Sequence, residues 1–379
     1  MDLVRARETL LSIREQLEWF LFGIRPAINL ALVALVTRVK YSTREGKAYG
    51  AGHMFFNDVP GQGKSDLLSK LAVSISAKYT RENGTPDLRP SDLLGFHMYD
   101  RVNNRYHWID GKLATNIFFF DEISRATPKT QSASLSAMEE RELIETHIDS
   151  EKGAVVSVPR LLYPVDGDPR NRLFFWMIAA QNPIEQEGTY LLPEAQLDRF
   201  TYSAVIGYPD RREEKRLLRE PMMDKRIERC VSLSDILDVA ELSLEAIELT
   251  DSAEEYAERL VENSRPGCER KYAHDPALLG LVDRYVAVGM STRSMFHFLA
   301  AARAYAFTEL LGLWQADDTK FDQSRLHNDK PYKITVEHIQ TIVPHVMGHR
   351  LFLVAGAEAA GYSRNRIVRE IIKNTRVET

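Results

Sequence analysis

Asp58-Val59-Pro60-Gly61-Gln62-Gly63-Lys64-Ser65 is the stretch that decides the fold. It departs from the phosphate-loop pattern G-x-x-x-x-G-K-[ST] at one position, where Asp58 replaces the first Gly. Each residue type has a physical task. Gly61 and Gly63 let main-chain N–H groups face a triphosphate, and the helix after them offers the positive end of its dipole. Lys64 reaches the β and γ phosphates and Ser65 ligates magnesium. The pattern requires a strand before it and a helix after it. Residues 53–56 read as a short strand, and over 64–78 Leu67, Leu71 and Ile75 recur every fourth residue while Leu68 widens the same face. A Gly-rich turn capping an ordinary helix would share this local appearance, so the assignment depends on a second motif further along the chain.

Phe118-Phe119-Phe120-Asp121-Glu122 ends an apolar strand in two adjacent carboxylates. The first can hold a magnesium shell and the second can polarise a water. Its distance from Lys64 leaves room for one helix, one strand and a crossover with an insertion. Because a kinase need not activate water, Glu122 favours a hydrolase. Ala179-Ala180-Gln181-Asn182-Pro183 puts an amide where another buried strand meets a turn, able to orient the attacking water or contact the γ phosphate. Leu197-Asp198-Arg199-Phe200 precedes the last strand, and in a ring of copies Arg199 could point into a neighbour's site as an arginine finger. Arg293, in Met290-Ser291-Thr292-Arg293, starts a helix whose dipole it does not help, and it could reach the same nucleotide from the other side.

Outward from these motifs, residues 117–120, 173–180 and 202–206 are apolar on both faces, as central parallel strands are. A helix over 128–141 opens with Thr127 as cap and Pro128 at the first helical position. Strands alternating with helices predict an α/β, αβα core with a parallel sheet. Residues 41–52 read as a loop. After residue 208 only helices are expected, over 211–220, 233–247, 253–263, 277–288, 292–311 and 336–346, with a solvated loop at 315–333. The predicted units are an α/β domain with N-terminal helices (1–207) and an all-α helical lid (208–379).

The 379 residues exceed what one hydrophobic core usually holds, and 44% hydrophobic with 27% charged residues is globular composition. A net charge of -5 gives no global basic field for nucleic acid. Cys230 and Cys268 match no metal-ligand spacing and build no disulfide framework, which fits a reducing cytoplasm. The longest apolar run, 27–36, is too short to span a bilayer and is expected to be a buried helix, and the first dozen residues show no signal for secretion.

Taken in order, 58–65, Thr85-Pro86-Asp87-Leu88-Arg89-Pro90-Ser91-Asp92, Asp121-Glu122-Ile123-Ser124-Arg125-Ala126, Ala180-Gln181-Asn182-Pro183, Leu192-Pro193-Glu194-Ala195-Gln196-Leu197-Asp198-Arg199-Phe200 and Ser291-Thr292-Arg293 resemble the MoxR family of AAA+ ATPases, and His349-Arg350-Leu351 is similar to its closing segment. The resemblance covers roughly residues 20–350 and implies a P-loop NTPase fold, ATP and Mg2+ as cofactors, Lys64 and Ser65 as Walker A, Asp121 and Glu122 as Walker B, Asn182 as sensor 1, Arg199 as arginine finger and Arg293 as sensor 2. It also implies a homo-oligomeric, hexameric ring, a chaperone-like action on a client protein or metal-containing complex, and a partner with a von Willebrand A domain. Ser124 stands where Asn is usual, Ser291-Thr292-Arg293 where Ser-Pro-Arg is usual, 145–172 is longer than expected for the hairpin before sensor 1, and the tail after Leu351 is extra. The alternatives are a nucleic-acid motor or restriction-type AAA+ subunit using the basic stripe 101–105, and a nucleotide-gated scaffold without useful turnover, which Glu122 disfavours.

Overall fold

A computed structural model describes the chain except residues 44–45, 59–60, 104, 141, 150–153, 162–163, 183–187, 208–210, 220–226, 269–272, 275, 316–320, 328–329 and 378–379. Two helices, α1 (Leu3–Phe20) and α2 (Arg25–Val36), lead into strands β1 (Val39–Thr43) and β2 (Gly46–Gly50). The α/β part then runs β3 (Met54–Asn57), α3 (Lys64–Ser74), β4 (Tyr79–Asn83), α4 (Pro90–Leu94), β5 (Gly95–Asp100), β6 (Arg105–Asp110), β7 (Ile117–Asp121), α5 (Pro128–Glu140), β8 (Glu142–Asp149), β9 (Ala154–Leu161), β10 (Trp176–Gln181), α6 (Glu194–Leu197) and β11 (Tyr202–Ala204).

Five of these strands make one sheet in the order β11-β3-β10-β7-β4, with parallel pairing throughout. Side chains alternate across it. Met54, Phe56, Phe119, Trp176 and Ile178 join one buried cluster, while Phe55, Phe118, Phe120, Met177 and Ala179 join the other, packed on Leu135 and Met138 of α5. A strand buried on both faces must be apolar at every position, which is why β7 and β10 read as unbroken runs. Each fully buried Phe contributes ~1.5–3 kcal/mol, so the strand ending in Asp121 is firmly held.

Several local readings are corrected. Within 41–52, residues 41–43 and 46–50 are strand rather than loop: β1 and β2 pair antiparallel from Val39↔Gly50 to Thr43↔Gly46. Main-chain hydrogen bonds define such a ribbon. α3 stops at Ser74, and Ser76 turns to φ 56. β10 begins at Trp176 rather than 173, because Leu173 bridges Pro164 on the way in. The longer hairpin before Asn182 is β8 against β9, Glu142↔Leu161 through Asp149↔Ala154. After it, Arg172 binds Asp168 and reaches Asp238 at 2.6 Å and Glu241 at 3.0 Å, fastening this connection to the helix over 233–246. The stripe 101–105 lies at the turn of the antiparallel pair β5–β6, where Arg101 is exposed and residue 104 is not among those described.

The remainder is helical: α7 (Arg211–Arg219), α8 (Leu233–Ala246), α9 (Asp251–Asn263), α10 (Pro276–Tyr285), α11 (Thr292–Leu310), α12 (Val336–Met347) and α13 (Arg364–Asn374). Two short ladders add to it, β12 (Ile247–Glu248) with β14 (Tyr332–Lys333) and β13 (Val286–Val288) with β15 (Phe352–Leu353). Within 315–333, Phe321 and Leu326 are buried, so that segment is anchored rather than wholly solvated. The tail is also structured, because Ile367, Val368 and Ile371 bury one face of α13. α2 is buried all round from Ala27 to Val36, with Asn29 its one polar residue there. It packs on α8 and α11, and Arg14 and Asn29 both donate to Leu313 O just beyond α11, so the N-terminal helices share one core with the sheet and the C-terminal helices.

Candidate active site

The loop from β3 to α3 starts at a buried carboxylate. Asp58 Oδ2 accepts the main-chain N–H groups of Ile206 at 2.8 Å and Gly207 at 3.3 Å, just past β11, while Asp58 N donates to Gln181 O. Asp58 therefore links three strand ends: its main-chain N–H reaches β10 as any residue's would, while the bonds to residues 206 and 207 need a side-chain acceptor that the generic Gly lacks. Val59 and Pro60 lie outside the described residues. Gly61 and Gly63 take φ of 82° and 78°, and a Cβ on either would meet no atom within 4 Å, so glycine is demanded there by torsion rather than crowding. α3 begins at Lys64, whose Nζ donates to Asp58 O at 3.0 Å. Burial lowers the Lys64 pKa, while the nearby carboxylates of Asp58, Asp121 and Glu122 act the other way.

Restoring the motif's usual residue should therefore harm this chain. Asp58→Gly leaves two N–H groups without their charged acceptor, and the expected loss is ~1.5–3 kcal/mol of unfolding free energy by denaturant titration. An unchanged midpoint would show that the link is immaterial.

At the end of β7, Asp121 accepts Glu122 N at 3.1 Å and pairs with Arg81 Nη2 at 2.7 Å. Arg81 comes from the adjacent strand β4. Glu122 itself is left-handed, φ 48° and ψ 44°, which costs a non-glycine residue ~1–2 kcal/mol. Gly84 makes this turn possible: its N–H donates to Asp121 O at 2.7 Å, and a Cβ there would collide with Glu122 O. The Glu122 carboxylate pairs with Arg125 Nη1 at 2.8 Å, both side chains being about half exposed.

These groups surround a cleft of about 750 Å³, within the range of small-molecule and cofactor sites. Gly61 to Ser65 line one part of it, Asp121 and Glu122 another, and Asn182 closes the end of β10. Leu21, Phe22 and Ile24 add an apolar wall suited to a base, and α7 contributes Glu214. The donor set fits magnesium nucleotide: positive-φ glycines and a helix start for phosphates, a cation at Lys64, and oxygen ligands at Ser65 and Asp121 for a hard metal.

Arg199 and Arg293 are not among the cleft's lining residues. They meet each other at Glu139 near the end of α5, Arg199 at 2.8 Å and Arg293 at 2.5 Å. The expectation that Arg293 approaches its own chain's nucleotide from the other side is thus not what this geometry brings together. Sequence reasoning missed Arg81, Arg125 and Glu139. Arg81 went unseen because β4 is an edge strand with no apolar run. Arg125 stands three residues after Glu122, a spacing that could have flagged it.

Compared with known proteins, residues 53–159 and 165–202 match the ATPase family associated with various cellular activities (AAA). The chain is 31% identical over 372 residues, 96% of its length and 93% of the relative's, to the "Uncharacterized protein YeaC" of Bacillus subtilis. It is 29% identical over 325 residues, 85% of its length and 73% of the relative's, to "Chaperone MoxR1" of Mycobacterium tuberculosis. The chain belongs to the MoxR family of AAA+ ATPases. A crystal structure of a candidate ATPase from Cytophaga hutchinsonii superimposes with a TM-score of 0.75 at 25% identity, covering 100% of this chain and 97% of that one. Membership in this MoxR-like ATPase and chaperone family carries nucleotide binding with it. Among the described residues no helix is long and apolar enough to cross a membrane.

Proposed function

We propose that this MoxR family member hydrolyses ATP with magnesium, as a cytoplasmic ring ATPase whose subunits share their sites. The observation that carries this reading is the meeting of Asp121 and Glu122 with Lys64 and Ser65 around one cleft. In it Gly61 to Lys64 hold the phosphates and the apolar wall takes the base. Ser65 and Asp121 would hold a magnesium ion, which would supply charge stabilisation to the phosphates. Glu122 accepts the proton of the attacking water and Asn182 orients that water.

Arg199 and Arg293 serve a neighbour. Side by side on Glu139 and outside their own cleft, they form a paired cationic edge that an adjoining subunit's γ phosphate can receive. This supports a closed homo-oligomer, and the family resemblance favours six subunits. The boundary near residues 207 and 208 belongs to the same proposal, with the helical unit moving against the sheet unit as nucleotide is exchanged and a client protein or metal-containing complex being remodelled, in company with a von Willebrand A domain partner.

The test is phosphate release against protein concentration, with mass followed by light scattering. Specific activity should rise together with assembly. Activity independent of concentration in a protein that stays monomeric would mean that one chain holds a complete hydrolytic site, and the shared-site ring would be wrong; no phosphate release at any concentration would leave a nucleotide-binding module as the better account.

A further inference from the structure

Arg350, between α12 and β15, is 2% exposed, and its side chain bonds extend to the segment that carries Arg199. A guanidinium has five N–H donors, and here five hydrogen bonds account for them. Nε donates to Asp198 Oδ1 at 2.9 Å, Nη2 to Asp198 O at 3.0 Å and to Phe200 O, and Nη1 to Thr201 O at 3.2 Å and to Val346 O. Three of these acceptors are carbonyls of residues 198, 200 and 201, so the main chain is gripped on both sides of Arg199. The adjoining His349 adds its ring to Phe200 O at 2.8 Å.

The Asp198 carboxylate extends the brace to the second arginine. Besides Arg350 it accepts Ser294 Oγ at 2.7 Å on one oxygen and Ser291 Oγ at 2.8 Å on the other. Ser291 is the N-cap of α11 and Ser294 the third residue inside it, bonded reciprocally, with Arg293 between them. One buried cation thereby fixes a turn and a helix start from distant parts of the chain, and the arginine of each emerges onto the same carboxylate, Glu139.

We propose that Arg350 is a positioning residue that sets the arginine pair at the angle a neighbouring subunit needs, acting through Asp198; this rests on the shared-site reading of the function. Lys at 350 brings three donors in place of five and cannot hold the fork. Misplacement of catalytic groups by about 1 Å costs roughly 100-fold in rate. Arg350→Lys should therefore lower kcat about 10- to 100-fold while leaving the affinity for a fluorescent ATP analogue and the assembled mass unchanged. A variant with full turnover overturns the proposal.

Mixed assemblies separate positioning from general damage. Arg350→Lys subunits are assembled with Glu122→Gln subunits. Where the Lys variant supplies the cleft and the Gln variant supplies the arginines, every group in the shared site is intact, so phosphate release should exceed what either variant gives alone. A mixture no more active than its separate parts would mean that Arg350→Lys spoils its own cleft, and the positioning role falls. Arg199→Ala mixed with Glu122→Gln is the reference: if that pair is also no more active than its parts, the shared-site reading itself fails and takes the proposal with it. Should Arg350→Lys not fold, Asp198→Asn is carried through the same mixtures, because it keeps the side-chain shape while weakening the bonds from Arg350, Ser291 and Ser294, and the same two outcomes decide.

Discussion

Glu122→Gln is expected to reduce the single-turnover rate of ATP cleavage by ~10²–10⁴-fold, the contribution of a positioned general base. The substitution keeps the side chain's shape and removes its capacity to take a proton. It also removes the ion pair with Arg125, but both partners are about half exposed, and such a pair is worth only ~0–1 kcal/mol. Folding and nucleotide affinity should therefore remain close to wild type. Gln also inherits the left-handed backbone at this position without added strain, because that conformation is held by Gly84 and by the main chain of β7, not by the carboxylate. Single-turnover measurement matters here, since product release can mask a change in chemistry at steady state. A variant within a few-fold of wild type would remove Glu122 from the base role and revive the scaffold reading.

Arg199→Ala is expected to lower kcat by ~10³–10⁵-fold, the range typical of arginine fingers, with the ring mass and the nucleotide affinity intact. The stability cost should be small. The Arg199 side chain is 24% exposed, and Glu139 keeps Arg293 as a partner when Arg199 is removed, so no buried charge is orphaned. Phosphate release and light scattering on the same sample check both halves of the expectation. If turnover survives in an assembled ring, Glu139 is merely the end of a surface ion pair and the hydrolytic site is complete within one chain.

The parts legible in the sequence are those where a local pattern has a single physical solution. Phe118, Phe119 and Phe120, followed at once by two carboxylates, suit a strand covered on both faces, and that second motif turns Gly61 and Gly63 before Lys64 from an ordinary capping turn into one that presents main-chain N–H groups to phosphate. Tyr79–Asn83 is an edge strand whose residues are largely uncovered, so nothing in its composition marks it as part of the sheet. The ribbon β1–β2 is held by main-chain bonds, to which side-chain periodicity is blind. α13 does carry a helical signal in Ile367, Val368 and Ile371, but it lies beyond the last motif, where an extra tail invites no search for a core face. In the site, consecutive residues are legible and partnerships are not. Arg81 gains meaning only beside Asp121, Glu139 only between two arginines, and Arg350 only when residues 198–201 are folded around it.

The pairing of Arg81 with Asp121 and of Arg125 with Glu122 gives the cleft internal counterions. On the proposed roles, loading the site is then an ion exchange. A divalent cation arriving alone competes with a guanidinium for Asp121 and has nothing to offer that guanidinium in return. One arriving on a nucleotide brings phosphate oxygens to which Arg81 can turn. On those roles the site would favour the metal–nucleotide complex over either part, and each of its two adjacent carboxylates has a guanidinium beside it.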